Sequence, residues 1–176
     1  MWTGQEESAR PKQYFQISWE MFGELCRALA LRVAREYEPE VVVGIARAGV
    51  VPAGVMASIL RTDLYAMTIS RRQGTEQVRE RPEVLSAAPS HLRGKRVLIV
   101  DEITTSGDTL RLALAAVRDV GPAEVRTATC FVRPQEFRPD FFALETDQEL
   151  IFPWDRKVFQ EGELVVNPRY RDVLDE

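Results

Sequence analysis

Apolar positions change period repeatedly along the chain. After Ile17 they recur at helical spacing, with Met21, Phe22, Leu25, Leu29 and Val33 on one stripe, Ser18 placed as the N-cap and Pro39 as the stop. The run EVVVGIA (Glu40 to Ala46) is short, β-branched and almost wholly apolar, the pattern of a strand buried on both faces. VVPAGVMASILR then predicts a helix, DLYAMTIS and KRVLIV predict strands, GDTLRLALAAVRDVG a helix and AEVRTATCFV a strand. This alternation predicts an α/β fold: a mostly parallel central sheet with helices on both faces and ligands beyond the carboxyl ends of its strands.

Between Arg71 and Arg96 the alternation stops. RRQGTEQVRERPEVLSAAPSHLRGK is polar, charged and interrupted by Pro82 and Pro89, which predicts a long irregular connection of the kind used as a lid or an insertion. From Asp140 on, FFALE, LIFPWD and ELVV are strand-like. No internal repeat or second domain is visible, and 176 residues suffice for one domain with a sizeable core.

Composition narrows the function. A net charge of -4 argues against a nucleic-acid binder that works by broad electrostatics. MWTGQEESARPK lacks the apolar core of a signal peptide, and no apolar run approaches the roughly 20 residues that span a bilayer. A soluble cytoplasmic protein without a membrane partner is expected. Cys26 and Cys130 have no metal-ligand or CxxC spacing and are expected to be small buried hydrophobes; His91, the only histidine, is expected in a loop.

The chemistry concentrates in VLIVDEITTSGDT, residues 97 to 109. If Val97 to Val100 is a central strand, Asp101 and Glu102 emerge at its carboxyl end and Gly107 to Thr109 open the next helix. Free N–H groups and the positive dipole end there favour a phosphate, and the hydroxyls of Thr105, Ser106 and Thr109 add donors. The two carboxylates upstream suit a sugar diol or a divalent cation. A ribose 5-phosphate unit with free 2- and 3-hydroxyls satisfies both halves. Other phosphate loops are absent: Gly94-Lys95 is followed by Arg96, which breaks GxxxxGK[ST], and Gly44, Gly49 and Gly54 lie five apart, which breaks GxGxxG.

Four apolar residues, two acids, one apolar residue and a Thr/Ser/Gly-rich turn resemble, through all thirteen positions, the phosphoribosyl pyrophosphate (PRPP) motif of type I phosphoribosyltransferases. VVVGIARAGVVPAGVMA resembles the family's first-strand loop, and LIFPWD the end of its C-terminal hood, most like bacterial and archaeal xanthine, guanine or hypoxanthine phosphoribosyltransferases. The resemblance implies a type I phosphoribosyltransferase fold in a single domain. Its core would run from about residue 14 to 135 and its hood from about 136 to 176, joined by the N-terminal segment.

It further implies transfer of the phosphoribosyl group from PRPP to a nucleobase, a purine by this likeness, with Mg²⁺ as cofactor and a homodimer or higher homo-oligomer as the assembly. Asp101 and Glu102 would hold the ribose hydroxyls and the metal's hydration shell. Thr105, Ser106, Gly107, Asp108 and Thr109 would anchor the 5-phosphate. The turn Ala46, Arg47, Ala48 and Gly49 would hold the pyrophosphate, with Arg71 or Arg72 in reach, and Arg47 would offset charge on the leaving group. Ile103, Phe152, Trp154 and Asp155 would meet the base, and the segment from Arg71 to Lys95 would be the lid.

Two positions depart from the family pattern. Thr105 stands where 6-oxopurine enzymes commonly carry an Asp that handles a proton of the base, and Glu149 stands where relatives carry a stacking aromatic. A PRPP-sensing protein that has lost catalysis is the competing reading.

Overall fold

The computed structural model describes residues 12–73, 77–134 and 137–174; for 71–73 and 77–79 it describes the backbone alone. Two compact units are present. One holds residues Phe22–Thr146, and the other holds the described residues before Phe22 together with those from Asp147 on.

The larger unit is built on a six-stranded sheet. Its strands are β2 (Val41–Ala46), β3 (Asp63–Gln73), β4 (Gln77–Val84), β5 (Arg96–Thr104), β6 (Glu124–Val132) and β7 (Phe141–Glu145), in the order β4-β3-β2-β5-β6-β7. All neighbours are parallel except β4, which pairs antiparallel with β3.

Helix α2 (Val50–Leu60) follows β2, and α3 (Asp108–Val120) follows β5. Alternate strand residues face opposite ways. Val41, Val43 and Ile45 of β2 and Val97 and Ile99 of β5 join Leu110, Ala113 and Val117 of α3 in one buried cluster. On the other face α2 lies so close to β2 that Ala53 would meet a Cβ at Gly44 at 2.8 Å. Helix α1 (Trp19–Glu36) covers β6 on that face: Cys26 and Cys130 are both fully buried, with their Sγ atoms 3.6 Å apart.

Helix α1 begins as the sequence predicts, with Ser18 Oγ accepting the N–H of Met21 at 3.1 Å. It ends at Glu36, before Pro39. Just beyond it Tyr37, 6 % exposed, donates its hydroxyl toward the carbonyls of Val97 (2.9 Å) and Glu124 (3.1 Å), at the amino ends of β5 and β6. Burial raises its pKa, so it remains a donor. Tyr37→Phe is expected to cost about 1 kcal/mol of stability, read by chemical denaturation, and to leave activity unchanged because the site lies at the opposite strand ends.

Two sequence expectations are corrected. The charged stretch after Arg71 is not an irregular connection: it carries the second half of a β3–β4 hairpin and then a 3₁₀ turn at Ser90–Leu92, where His91 stacks on Tyr65 with ring centroids 5.5 Å apart. An edge pair needs no apolar alternation, so its period gives no signal. Strand β5 also does not stop at Val100 but continues through both acids to Thr104.

The smaller unit joins β1 (Tyr14–Gln16) to β8 (Glu149–Ile151) in parallel and carries an antiparallel hairpin of β9 (Lys157–Gln160) and β10 (Glu163–Val166). A short 3₁₀ turn and α4 (Arg171–Leu174) close the described chain.

Candidate active site

The chain leaves central strand β2 for β3 on one side and returns to β5 on the other, so the order of strands reverses between β2 and β5. At such a switch point two loops diverge and open a crevice beyond the strand ends. Both sequence motifs lie there. The β2–β5 pairing ends at Gly44↔Val100, whereas β5 stays paired with β6 as far as Thr104↔Val132. Asp101 to Thr104 therefore keep a strand neighbour on the β6 side after β2 has turned away.

The turn that follows β2 comes against the acids. The peptide between Ala46 and Arg47 is cis, and the carbonyls of Arg47, Ala48 and Gly49 accept the N–H groups of Val50, Val51 and Ala53 as α2 begins. Arg47 is exposed, and Gly49 is buried against Asp101. A Cβ at Gly49 would lie 2.6 Å from Asp101 Oδ1, 2.6 Å from the carbonyl oxygen of Ile45 and 2.9 Å from Asp101 Cα. Only glycine permits this approach.

Asp101 is 7 % exposed, and its Oδ1 accepts the backbone N–H of Glu102 at 2.9 Å. Burial, and then the charge of Glu102, push its pKa well above the ordinary carboxylate value. A buried acid held near another acid is poised to gain from a cation or from hydroxyl donors. Among the described residues no group of three His, Cys, Asp or Glu side chains gathers as a metal site. Asp101 and Glu102 supply hard oxygen donors that fit Mg²⁺ as part of a shell completed by substrate oxygens and water.

Residues 103–109 line a pocket of about 60 Å³. Whole-ligand sites run to roughly 300–1,000 Å³, so this one suits a single group. Gly107 caps α3 in the left-handed region, at φ 81°. A Cβ there would strike the Phe137 side chain, whose Cβ, Cγ and Cδ1 come within 2.3 to 2.5 Å of that point. Arg111, one turn into α3, lies over the ring of Phe137 at 4.8 Å. Ser106 Oγ donates to Asp108 Oδ2 at 2.9 Å, and Arg111 donates to the carbonyl of Ser106 at 3.2 Å and to Asp108 Oδ1 at 3.4 Å.

A match to the family model of the phosphoribosyl transferase domain spans residues 18–164. The chain belongs to the phosphoribosyltransferase family. It is 33% identical over 165 residues to the xanthine-guanine phosphoribosyltransferase of Nitratidesulfovibrio vulgaris (strain DP4), covering 91% of this chain and 96% of that protein. The crystal structure of a purine phosphoribosyltransferase from Pyrococcus horikoshii Ot3 superposes with a TM-score of 0.73 at 28% identity, covering 85% of this chain and 99% of that one. The Helicobacter pylori xanthine-guanine-hypoxanthine phosphoribosyltransferase shares the fold, with a TM-score of 0.67 at 23% identity over 80% and 93% of the two chains. The family expectation drawn from residues 97 to 109 is thereby met.

The other expected site residues divide. Asp101, Glu102, Ile103, the 105–109 run and the turn of Ala46 to Gly49 all belong to the larger unit, at neighbouring strand ends. The side chains of Arg71 and Arg72 lie outside the described residues. Phe152, Trp154 and Asp155 belong to the smaller unit. There Phe152, 6 % exposed, stacks on Trp154 with centroids 4.7 Å apart, and Trp154 tilts against Trp19 at 5.7 Å. The N–H of Asp155 is bonded to the carbonyl of Phe152 at 3.0 Å, so this segment forms a packed turn.

Phe137 and Arg111 were not singled out by the sequence. Phe137 sits in the β6–β7 connection, remote in sequence from Gly107, and nothing local signals their contact; Arg111 reads only as a polar helix position.

Proposed function

We propose that this chain moves the 5-phosphoribosyl group of PRPP to a ring nitrogen of a purine base, releasing pyrophosphate, in purine salvage. The observation that carries the reading is the contact of Gly49 with Asp101, which sets the turn suited to a pyrophosphate beside the acids suited to a ribose. The xanthine-guanine and purine specificities of its relatives support a purine acceptor.

In this reading Thr105 to Thr109 take the 5-phosphate. Binding there is remote from the breaking bond and holds the sugar in place for attack. Asp101 and Glu102 orient the ribose through its two hydroxyls, and their charge lies near the positive charge that develops on the sugar. Arg47 and the backbone of Ala46 to Gly49 hold the pyrophosphate as its charge grows. Mg²⁺, held by Asp101 and Glu102, would supply electrostatic stabilisation of the leaving pyrophosphate. Ile103 is proposed to contact the base, and Phe152, Trp154 and Asp155 are assigned to it as well. Arg71 and Arg72 are assigned to the pyrophosphate, and the hairpin that carries them to exclusion of water.

Thr105 is exposed and has no acid–base capacity near neutral pH, so the proton of the base must leave by another group or by water. A cytoplasmic homodimer is the assembly this reading favours. No helix among the described residues is long and apolar enough to cross a membrane.

Incubation with PRPP, Mg²⁺ and guanine, xanthine, hypoxanthine or adenine, followed by mass spectrometry, is expected to yield a nucleoside monophosphate only when PRPP is present. Binding of PRPP without product from any base would instead identify a sensor.

A further inference from the structure

The anion pocket already holds an anion of its own. Asp108 is the first residue of α3, at the helix end whose dipole favours negative charge, and its carboxylate takes up the Ser106 hydroxyl at 2.9 Å. Its other oxygen engages Arg111 at 3.4 Å. These are the donor and the cation that a phosphate at Thr105 to Thr109 would use, and Asp108 itself lines the pocket there. The pair is open to solvent, with side-chain exposures of 53% for Arg111 and 41% for Asp108. An exposed ion pair of this kind holds weakly and exchanges readily. Phe137, under the guanidinium, keeps Arg111 at the pocket when Asp108 lets go.

We propose that Asp108 is a built-in competitor for the 5-phosphate, which the phosphate displaces from Ser106 and Arg111 on binding and which returns as the phosphate leaves. The inference rests on the assignment of Thr105 to Thr109 to the 5-phosphate. Its consequence is selective. PRPP is held at both ends, by its 5-phosphate and by its pyrophosphate. The nucleoside monophosphate product has lost the pyrophosphate, so a weakened phosphate pocket speeds product release, a step that often limits turnover. Asp108 is thus a specificity-determining residue that sets how firmly the pocket holds phosphate; it takes no part in the bond-breaking step.

Calorimetric titration with ribose 5-phosphate, PRPP and inorganic pyrophosphate separates the two ends. Asp108→Asn is expected to bind ribose 5-phosphate about tenfold more tightly, the effect of removing one like charge at close range, and Arg111→Gln about tenfold more weakly. Pyrophosphate affinity should be unchanged in both. Product inhibition by the nucleoside monophosphate should strengthen in Asp108→Asn. The same variant should melt slightly lower without ligand, because α3 loses its N-terminal charge. A purely structural role would weaken binding in both variants; opposite signs are the signature of competition.

Asp108→Ser, which keeps a side-chain oxygen without the charge, guards against a folding defect and should also bind ribose 5-phosphate more tightly. Unchanged or weaker ribose 5-phosphate binding in folded Asp108→Asn and Asp108→Ser would overturn the proposal, as would equal tightening for pyrophosphate. Failure of the folded wild type to bind either ribose 5-phosphate or PRPP would overturn the phosphate-site assignment itself, and this inference with it.

Discussion

Asp101→Asn combined with Glu102→Gln is expected to lower kcat/KM by about 10³-fold and, at the same time, to raise the melting temperature of the ligand-free protein. The loss follows from removing both groups that orient the ribose and hold the metal. The gain follows from burial. Asp101 is 7 % exposed, and its carboxylate lies beside a second acid, Glu102. Its folded pKa is raised, so the folded protein keeps this proton over a pH range where the unfolded chain has released it.

The stability this group contributes is complete below the ordinary carboxylate range and is lost as pH rises through the raised folded value. The advantage of Asp101→Asn should therefore vanish near about pH 4 and be evident near about pH 8. Scanning calorimetry at the two values reads this; a gain of about 2–4 °C corresponds to one kcal/mol in a chain of this size. Wild-type turnover by the double variant would remove both acids from the site.

Gly49→Ala carries the second large effect. The added Cβ would come 2.6 Å from both Asp101 Oδ1 and the Ile45 carbonyl, and 2.9 Å from Asp101 Cα. Two of these three atoms are backbone, in the paired strands β2 and β5, and neither can rotate away. The turn or β5 must move, and a displacement near 1 Å at a reacting site costs on the order of 10²-fold in rate. Overpacking should also lower stability by about 1–3 kcal/mol.

Gly54→Ala is the matched control. It lies inside α2, the nearest atom to its added Cβ is Leu64 Cδ2 at 3.9 Å, and helix propensity predicts a gain of about 0.5–1 kcal/mol with normal activity. Equal activity in Gly49→Ala and Gly54→Ala would mean that the turn and the acids do not act together.

Much of the candidate site is legible in residues 97 to 109, because one short segment carries three requirements in order: apolar residues for a central strand, acids at its far end, and small hydroxylated residues opening a helix. The turn at Ala46 to Gly49 is legible as a run of small residues like the family's first-strand loop. Its reason for being small is the approach to Asp101, a residue far along the chain. Phe137 against Gly107 is the same kind of contact and left no local trace. Cys26 and Cys130 show the same division: their burial could be read from the helix and strand patterns, whereas the 3.6 Å between their sulfurs depends on how α1 crosses β6.

By itself the sequence determined which segments are strands and helices wherever burial imposes a period, since β2 and β5 must be apolar on both faces and α3 on one stripe. It also placed the acids and the Thr/Ser/Gly-rich turn of the candidate site in contiguous residues. Only the tertiary structure decided the strand order that brings β2 beside β5, the hairpin hidden in a solvated charged stretch, and the continuation of β5 through its acids. Those depend on pairing between distant segments, where backbone hydrogen bonds and close packing select the partner and side-chain period is silent.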